Sequence, residues 1–254
     1  MLRVAAMLDA FTTAQLAWAA GVVLGAYVVR GMSGFGAGLV STPLLAFVFP
    51  MSTVVPTTAL IVFVLFVFLT LRDRHEVLWD EFRRLLWPTL LGVVAGLYLF
   101  SVLDNRLLLK GLGGFLMAYA AYMLITQWVG VKQLQLSQQW AFPLGFLGAF
   151  IDALFGGGGG MLVVIYLHGR NVSKAQFRAT LAVLWFVEMI ERIGGYTLVG
   201  YYTQSTLALV VVMLPFMLLG TWMGEKINTR ISPEAFARIL AAMLMLSGAS
   251  LLVK

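Results

Sequence analysis

Residues 152 to 161 read Asp152-Ala-Leu-Phe-Gly-Gly-Gly-Gly-Gly-Met161, five consecutive glycines between apolar stretches. Each glycine costs roughly 1 kcal/mol of helix propensity relative to alanine, so an uninterrupted helix through Gly156–Gly160 is not expected. The surrounding composition says which solvent this break meets. Of the 254 residues, 61% are hydrophobic and 11% charged, against about 25% charged in a typical soluble domain. In hydrocarbon the backbone must satisfy its own hydrogen bonds, which leaves helices or a closed barrel. The apolar stretches here run roughly 16 to 24 residues, the length of spanning helices and not of the roughly 10-residue alternating strands of a barrel. The expected fold class is an all-α polytopic membrane protein. Irregular backbone at membrane depth must then line a cavity or be enclosed by protein.

A second copy of the break lies upstream. Arg30 to Thr58 aligns on Asp152 to Thr180 at a shift of 122 residues, which sets Gly34, Gly36 and Gly38 on Gly156, Gly158 and Gly160, and Arg30 on Asp152. Trp87-Pro88 with Gly92 and Gly96 resembles Leu214-Pro215 with Gly220 and Gly224. The repeat therefore occupies nearly half the chain. The expected organisation is a first transmembrane repeat over 1–128, a linker loop over 129–139 and a second repeat over 140–254.

Apolar segments fall near 14–30, 36–50, 54–71, 85–101 and 106–128, and again near 140–155, 158–168, 176–199, 204–224 and 234–253. This predicts eight to ten crossings, with 158–168 short enough to be a half-helix. If loop 72–84 is cytoplasmic, twelve lysines and arginines gather on that side against four on the other, as short cytoplasmic loops require. Five segments per repeat is odd, so the repeats are expected to be inverted, with both termini outside. The start of the chain, interrupted by Asp9, is read as a retained first helix and not a cleaved signal. Localisation in the cell inner membrane as a multi-pass protein follows.

Inverted-repeat transporters place substrate near the midplane between interrupted helices. Exposed helix N-termini attract anions, because several N–H groups converge there and about half an elementary positive charge accumulates. The candidate substrate-binding residues are therefore Arg30, Ser33, Gly34, Gly36, Gly38, Ser41 and Thr42 in the first copy, and Gly156, Gly157, Gly158, Gly159 and Gly160 in the second. The competing account is that these glycines only let helices pack closely. Asp152, Glu188, Glu191 and Arg192 lie in or near apolar spans, where each charge requires a partner or a wet cavity. Glu188 and Arg192 form an i, i+4 pair on a stripe with Arg178 and Trp185. One account is a structural ion pair. The other has Arg178 or Arg192 hold an anion while Asp152 or Glu188 takes up a proton.

The remaining signals exclude chemistry. Cysteine is absent, which removes disulfides and thiolate zinc sites. Gly31-Met-Ser33-Gly34 has the pattern of an intramembrane serine protease, but His75 and His168 are the only histidines and neither is positioned as a base. Gly34-Phe-Gly-Ala-Gly38 follows no strand, and no Walker sequence occurs, so no nucleotide cofactor is expected. A net charge of +6 is read as membrane-flanking basic residues and not as nucleic-acid binding. The expected partners are a small anionic substrate and the lipid bilayer, with a homodimer as an option; no cofactor and no metal are expected. Anion channel and, further off, membrane-embedded enzyme stand as alternatives to a transporter.

GMSGFGAGLVSTPLL, FGGGGGMLVVIYLHG and the Phe177-Arg-Ala-Thr-Leu-Ala stretch together resemble the TauE/SafE family of sulfite exporters, the TSUP transporters. The resemblance covers essentially the whole chain. It implies movement of small sulfur-containing or carboxylate anions such as sulfite, sulfoacetate or related organosulfonates. Phe35 and Ala37 depart from the commoner glycine-rich pattern of the first motif.

Overall fold

A computed structural model describes residues 11–33, 36–129, 135–170, 172–227 and 233–253. They form ten α-helices and no strand among the described residues: α1 Thr13–Ser33, α2 Ala37–Ala46, α3 Met51–Asp73, α4 Trp79–Val102, α5 Asn105–Val129, α6 Ala141–Phe155, α7 Gly160–His168, α8 Lys174–Val199, α9 Gln204–Ile227 and α10 Pro233–Val253. Helices α1, α3, α4, α5 and α9 are long and apolar enough to cross a membrane. Helix α8 has 26 residues, and Glu188, Glu191 and Arg192 lie within it.

Each apolar segment read from the sequence holds one helix, with two differences in length: α4 begins at Trp79, six residues before its apolar run and within the loop expected at 72–84, and one segment is shorter than expected. Segment 36–50 is helical only over Ala37–Ala46, about 15 Å at 1.5 Å per residue. Gly36 starts it in the left-handed region at φ 91°. Pro50 ends the following turn, and its carbonyl accepts from Thr53 and Val54 to begin α3. Thus α2 is short in the same way as α7, which has nine residues. Another proline, Pro43, is carried inside α2.

The chain divides into two compact units. The first gathers α1, α2, the opening turns of α3, α5, α9 and α10. In it, α2 folds back along α1: Trp18 Nε1 donates to the Leu44 carbonyl at 3.0 Å, and Phe11 meets Phe49 edge-on at 5.5 Å. The same end holds Met51 N–H on Asn105 Oδ1 (2.8 Å) and the Tyr202 hydroxyl on the Pro56 carbonyl (3.3 Å).

The second unit gathers the rest of α3, α4, α6, α7 and α8. Here α7 folds back along α6, so that Leu136 N–H reaches the Gly169 carbonyl at 3.2 Å. Residues 78–84, Leu136 and Gly169–Arg170 meet at that end. Leu78 N–H donates to Thr180 Oγ1 at 3.0 Å. Buried Glu81 receives the Tyr166 hydroxyl at 2.5 Å, Arg170 Nε at 3.1 Å and Arg84 Nη1 at 3.0 Å.

The helix crossings repeat between units. In the first, Gly220 and Gly224 of α9 lie on the Leu24 and Val28 carbonyls of α1; in the second, Gly92 and Gly96 of α4 lie on the Phe146 and Phe150 carbonyls of α6. A Cβ on Gly220 would stand 2.5 Å from Leu24 O, and one on Gly96 2.6 Å from Phe150 O. Phe146 and Phe150 lie 122 residues beyond Leu24 and Val28, the shift of the sequence repeat. Gly220 and Gly224 likewise lie 128 beyond Gly92 and Gly96. In both crossings the numbering rises together, so the helices run parallel. By contrast, α5 and α10 meet antiparallel at Gly113 and Gly248. Helices α3 and α8 also meet antiparallel, through Phe63 with Phe186, Phe66 with Trp185, and the Thr70 hydroxyl on the Ala182 carbonyl.

Candidate functional site

The helix break between α6 and α7 is built by glycine conformation. Helix α6 ends at Phe155, and Gly156, Gly157 and Gly158 follow at φ 81°, 159° and 106°. The first and third of these lie in the left-handed region that side-chain-bearing residues avoid. Gly159 and Gly160 return to helical geometry and start α7. No Cβ fits at Gly159 either, because it presses on the Gly148 carbonyl of α6. The result is a tight reversal that leaves the α7 N-terminus facing the last turn of α6.

Three buried charges meet this break. Asp152, at 7% exposure, bends back over the glycines so that its Oδ1 accepts the Gly159 N–H at 2.8 Å. From α8 come Glu188 and Arg192, both 2% exposed, with Arg192 Nη1 at 3.5 Å from Glu188 Oε1. Asp152 is close enough to both for their charges to interact. Arg192 Nε and Nη2 and Glu188 Oε1 make no hydrogen bond of good geometry, and the Tyr196 hydroxyl is a further close polar neighbour of the Arg192 guanidinium. Tyr196, one turn beyond Arg192, donates its hydroxyl to the Ala153 carbonyl at 2.6 Å and packs edge-on to Phe100. That bond pins the end of α6 to α8. The Trp185 indole lies against Gly160, where a Cβ would come within 2.8 Å of it.

In the other unit, Arg30 is buried at 9% exposure in the last turn of α1, with Tyr27 and Glu225 as electrostatic neighbours. Gly36 caps α2, Gly38 lies in its first turn, and Ser41 and Thr42 are buried along it. Thr42 Oγ1 has no hydrogen-bond partner. Gly34 and the Ser33 side chain lie outside the described residues. Arg30 and Asp152 belong to different units. Arg178 is exposed in the second turn of α8, on the same stripe as Trp185, Glu188 and Arg192 but 14 residues before Arg192.

The residue that the sequence undervalued is Arg192. Its i, i+4 spacing to Glu188 signals an ion pair, but nothing in the spacing reveals two guanidinium nitrogens left without well-placed acceptors in a fully buried place. No group of three or more metal-ligating side chains occurs among the described residues. His168, at the end of α7, is exposed, packs on Phe177 and turns Nδ1 to the Val164 carbonyl at 3.2 Å.

Ten helices among the described residues, five of them long and apolar enough to cross a membrane and two half-length beside glycines, define with the buried charge a multi-pass membrane protein. Residues 18–251 match the sulfite exporter TauE/SafE family, and the chain belongs to it and is a membrane transporter. It is 28% identical over 187 residues to the probable inner membrane transporter protein TsaS of Comamonas testosteroni, covering 70% of this chain and 73% of that protein. It is 23% identical over 254 aligned positions to a probable membrane transporter protein of Methanocaldococcus jannaschii, covering 89% and 91%. No solved structure matches it significantly.

Proposed function

We propose that this protein is a secondary transporter of small anions, sulfur-containing or carboxylate, in the cytoplasmic membrane. The single observation that carries the reading is the α6–α7 break, where a helix N-terminus, a buried aspartate and a buried arginine with spare donors face one another. A helix N-terminus and a guanidinium are the two groups best suited to an oxyanion removed from water. Sulfite and organosulfonates present oxygens in the geometry that a guanidinium fork accepts. The name of the family and the inner-membrane assignment of TsaS point the same way.

Two inverted repeats are part of this reading. Its support is that the corresponding helices α5 and α10 cross antiparallel, as do α3 and α8, while the swapped pairs α1–α9 and α4–α6 run parallel. The first-repeat counterpart of the site would use Arg30, Ser33, Gly34, Gly36, Gly38, Ser41 and Thr42. In the second repeat, Gly156–Gly160 would approach substrate, with Asp152 or Glu188 carrying a coupled proton and Arg178 drawing anions at the entrance. Proton coupling follows from charge count: Asp152, Glu188 and Arg192 sum to −1 when all are ionised, so an anion enters most easily after a carboxylate takes up a proton.

The test is uptake into proteoliposomes of labelled sulfite, sulfate, sulfoacetate and simple carboxylates, with and without an inward proton gradient. Saturable uptake accelerated by internal unlabelled substrate supports a carrier. Linear flux without countertransport would instead assign a channel, and no flux of any anion would remove the reading.

A further inference from the structure

The α7 N-terminus is not vacant: a carboxylate of the protein itself sits on it. Seven residues separate Asp152 from Gly159, and the chain can close that distance only because Gly156 and Gly158 reverse it at positive φ. The closure places Asp152 Oδ1 on the Gly159 N–H at 2.8 Å, and the Gly160 N–H is directed at the same carboxylate. On α8, Arg192 is 2% exposed, and its Nε and Nη2 make no hydrogen bond of good geometry. A buried donor left without a well-placed acceptor is costly, and two on one guanidinium are suited to an oxyanion.

We propose that Arg192 is the cation that takes the transported anion in this unit, and that Asp152 is a tethered competitor that occupies the α7 N-terminus while the site is empty. This inference rests on the anion-transporter reading above. Substrate oxygens entering the break would meet Arg192 Nε and Nη2 on one side. On the other they would displace the Asp152 carboxylate from the Gly159 and Gly160 amides. The ligand class is a compact oxyanion with at least two exposed oxygens, sulfite or a sulfonate headgroup, because one oxygen must reach the helix end while another reaches the guanidinium fork. Trp185, which packs on Gly160, limits the volume on that side and favours a small headgroup.

Displacement is opposed by like charge, and the groups responsible can be named. From α8, Glu188, Arg192 and Tyr196 face Asp152, and Glu191 stands beside Glu188. Helix α4 presents Val93, Gly96 and Leu97 to this part of α6, and α7 presents Gly159 and Val163; none of these titrates. Asp152 is thus the carboxylate already holding the amides that substrate needs. Protonating it weakens its hold on the helix end and removes one negative charge in a single step.

The decisive experiment compares wild type, Asp152→Asn and Arg192→Lys in detergent, measuring equilibrium binding of labelled sulfite and, in parallel, sulfoacetate between pH 5.5 and 8. Asparagine retains an acceptor for the Gly159 N–H but not the charge. Asp152→Asn should therefore bind at least about tenfold more tightly than wild type at pH 8 and converge with it at low pH. Titration of sulfite itself is common to both proteins and cancels in the ratio. Arg192→Lys retains the charge but loses the planar pair of donors, and should bind at least about tenfold more weakly at every pH. A ratio between Asp152→Asn and wild type that stays near one across the pH range would overturn the competitor role, as would unchanged affinity in Arg192→Lys the ligand role. Should Arg192→Lys fail to fold, the Asp152→Asn ratio decides alone. Absence of binding by wild type to either anion would remove the anion-transporter reading itself, a result distinct from both.

Discussion

Gly113 of α5 and Gly248 of α10 each face the other's carbonyl: a Cβ on Gly113 would lie 2.8 Å from Gly248 O, and a Cβ on Gly248 would lie 2.9 Å from Gly113 O. A reciprocal contact of this kind is what a local two-fold relation produces. It also leaves no room for a side chain, since such distances are shorter than real Cβ contacts tolerate. Between membrane helices the driving force is close packing and not hydrophobic transfer, so widening this crossing removes much of what holds the pair. Gly113→Val and Gly248→Val are each expected to destabilise the protein by about 1–3 kcal/mol. Thermal unfolding in detergent checks this, and equal midpoints for either variant and wild type would contradict it.

The repeated crossings give a matched comparison. Gly96→Ala and Gly224→Ala both set a methyl against a backbone carbonyl, Phe150 O and Val28 O respectively, and should lower the melting midpoint to a similar degree. Gly21, Gly114 and Gly194 have nothing within 4 Å of a built Cβ. Alanine at those three should be neutral or stabilising, by up to about 1 kcal/mol from helix propensity. A uniform response across all five positions would mean that close helix approach is not what selects glycine here.

At the loop end of the second unit, Glu81 holds α4, α7 and the 135–139 strand of chain together through Tyr166, Arg170 and Arg84. Glu81 itself is 9% exposed as a side chain, Arg170 24% and Arg84 39%. Removing the buried member should therefore matter most. Glu81→Ala is expected to cost about 2–4 kcal/mol, because it strands the Tyr166 hydroxyl and two guanidinium groups. Arg84→Ala, a largely solvated partner, should cost no more than about 1 kcal/mol. Denaturation of the two variants in the same detergent decides the order, and a larger loss in Arg84→Ala would refute it.

Much of this architecture is legible in the sequence, and the reasons for the remainder are physical. Ten apolar segments appear as ten helices because membrane length and hydropathy act locally. The shortness of α2 is not legible in hydropathy because Val48, Phe49 and Pro50 extend the apolar run without extending the helix, which ends at Ala46. Interleaving of the two sequence halves into compact units depends on which helices pair, which no single segment encodes. At the site, the five glycines announce the break. What they do not announce is that Asp152 folds across them to Gly159, which depends on the backbone path of the turn, or that Arg192 keeps two donors without good hydrogen-bond geometry, which depends on how α8 packs in its unit. Arg178, on the same helical stripe as Arg192 in sequence, lies only in the second turn of α8 and is exposed there.

Sidedness is tested by chemistry that the absence of cysteine makes clean. Arg106 begins α5 and is exposed, at the end where Asn105 meets Met51, and Ser137 is exposed in the linker that meets Gly169. Arg106→Cys should react with a membrane-impermeant maleimide from outside intact cells, and Ser137→Cys only after the inner face is opened. The reverse pattern would turn the whole chain over, and reaction of both from one side would break the alternation on which inverted repeats depend.

The last prediction concerns backbone conformation in the two breaks. Gly158 sits at φ 106° and Gly36 at φ 91°, where an L side chain suffers a steric cost of roughly 1–2 kcal/mol or more, greatest for β-branched residues. At Gly36 a Cβ would meet nothing within 4 Å, so any penalty for substitution there is conformational and not a clash. The helix packing as a whole tolerates a loss of that size. The local geometry does not, because rotating φ out of the left-handed region at Gly158 would undo the reversal that brings Asp152 onto Gly159 and presents the α7 N-terminus. Gly158→Val and Gly36→Val should therefore retain monodisperse, folded protein while lowering sulfite uptake in proteoliposomes by at least about tenfold. Gly158→Ala should fall between, since it carries the same φ penalty without β-branching. Uptake at the wild-type rate in either valine variant, with folding intact, would reduce the glycine runs to elements of helix packing.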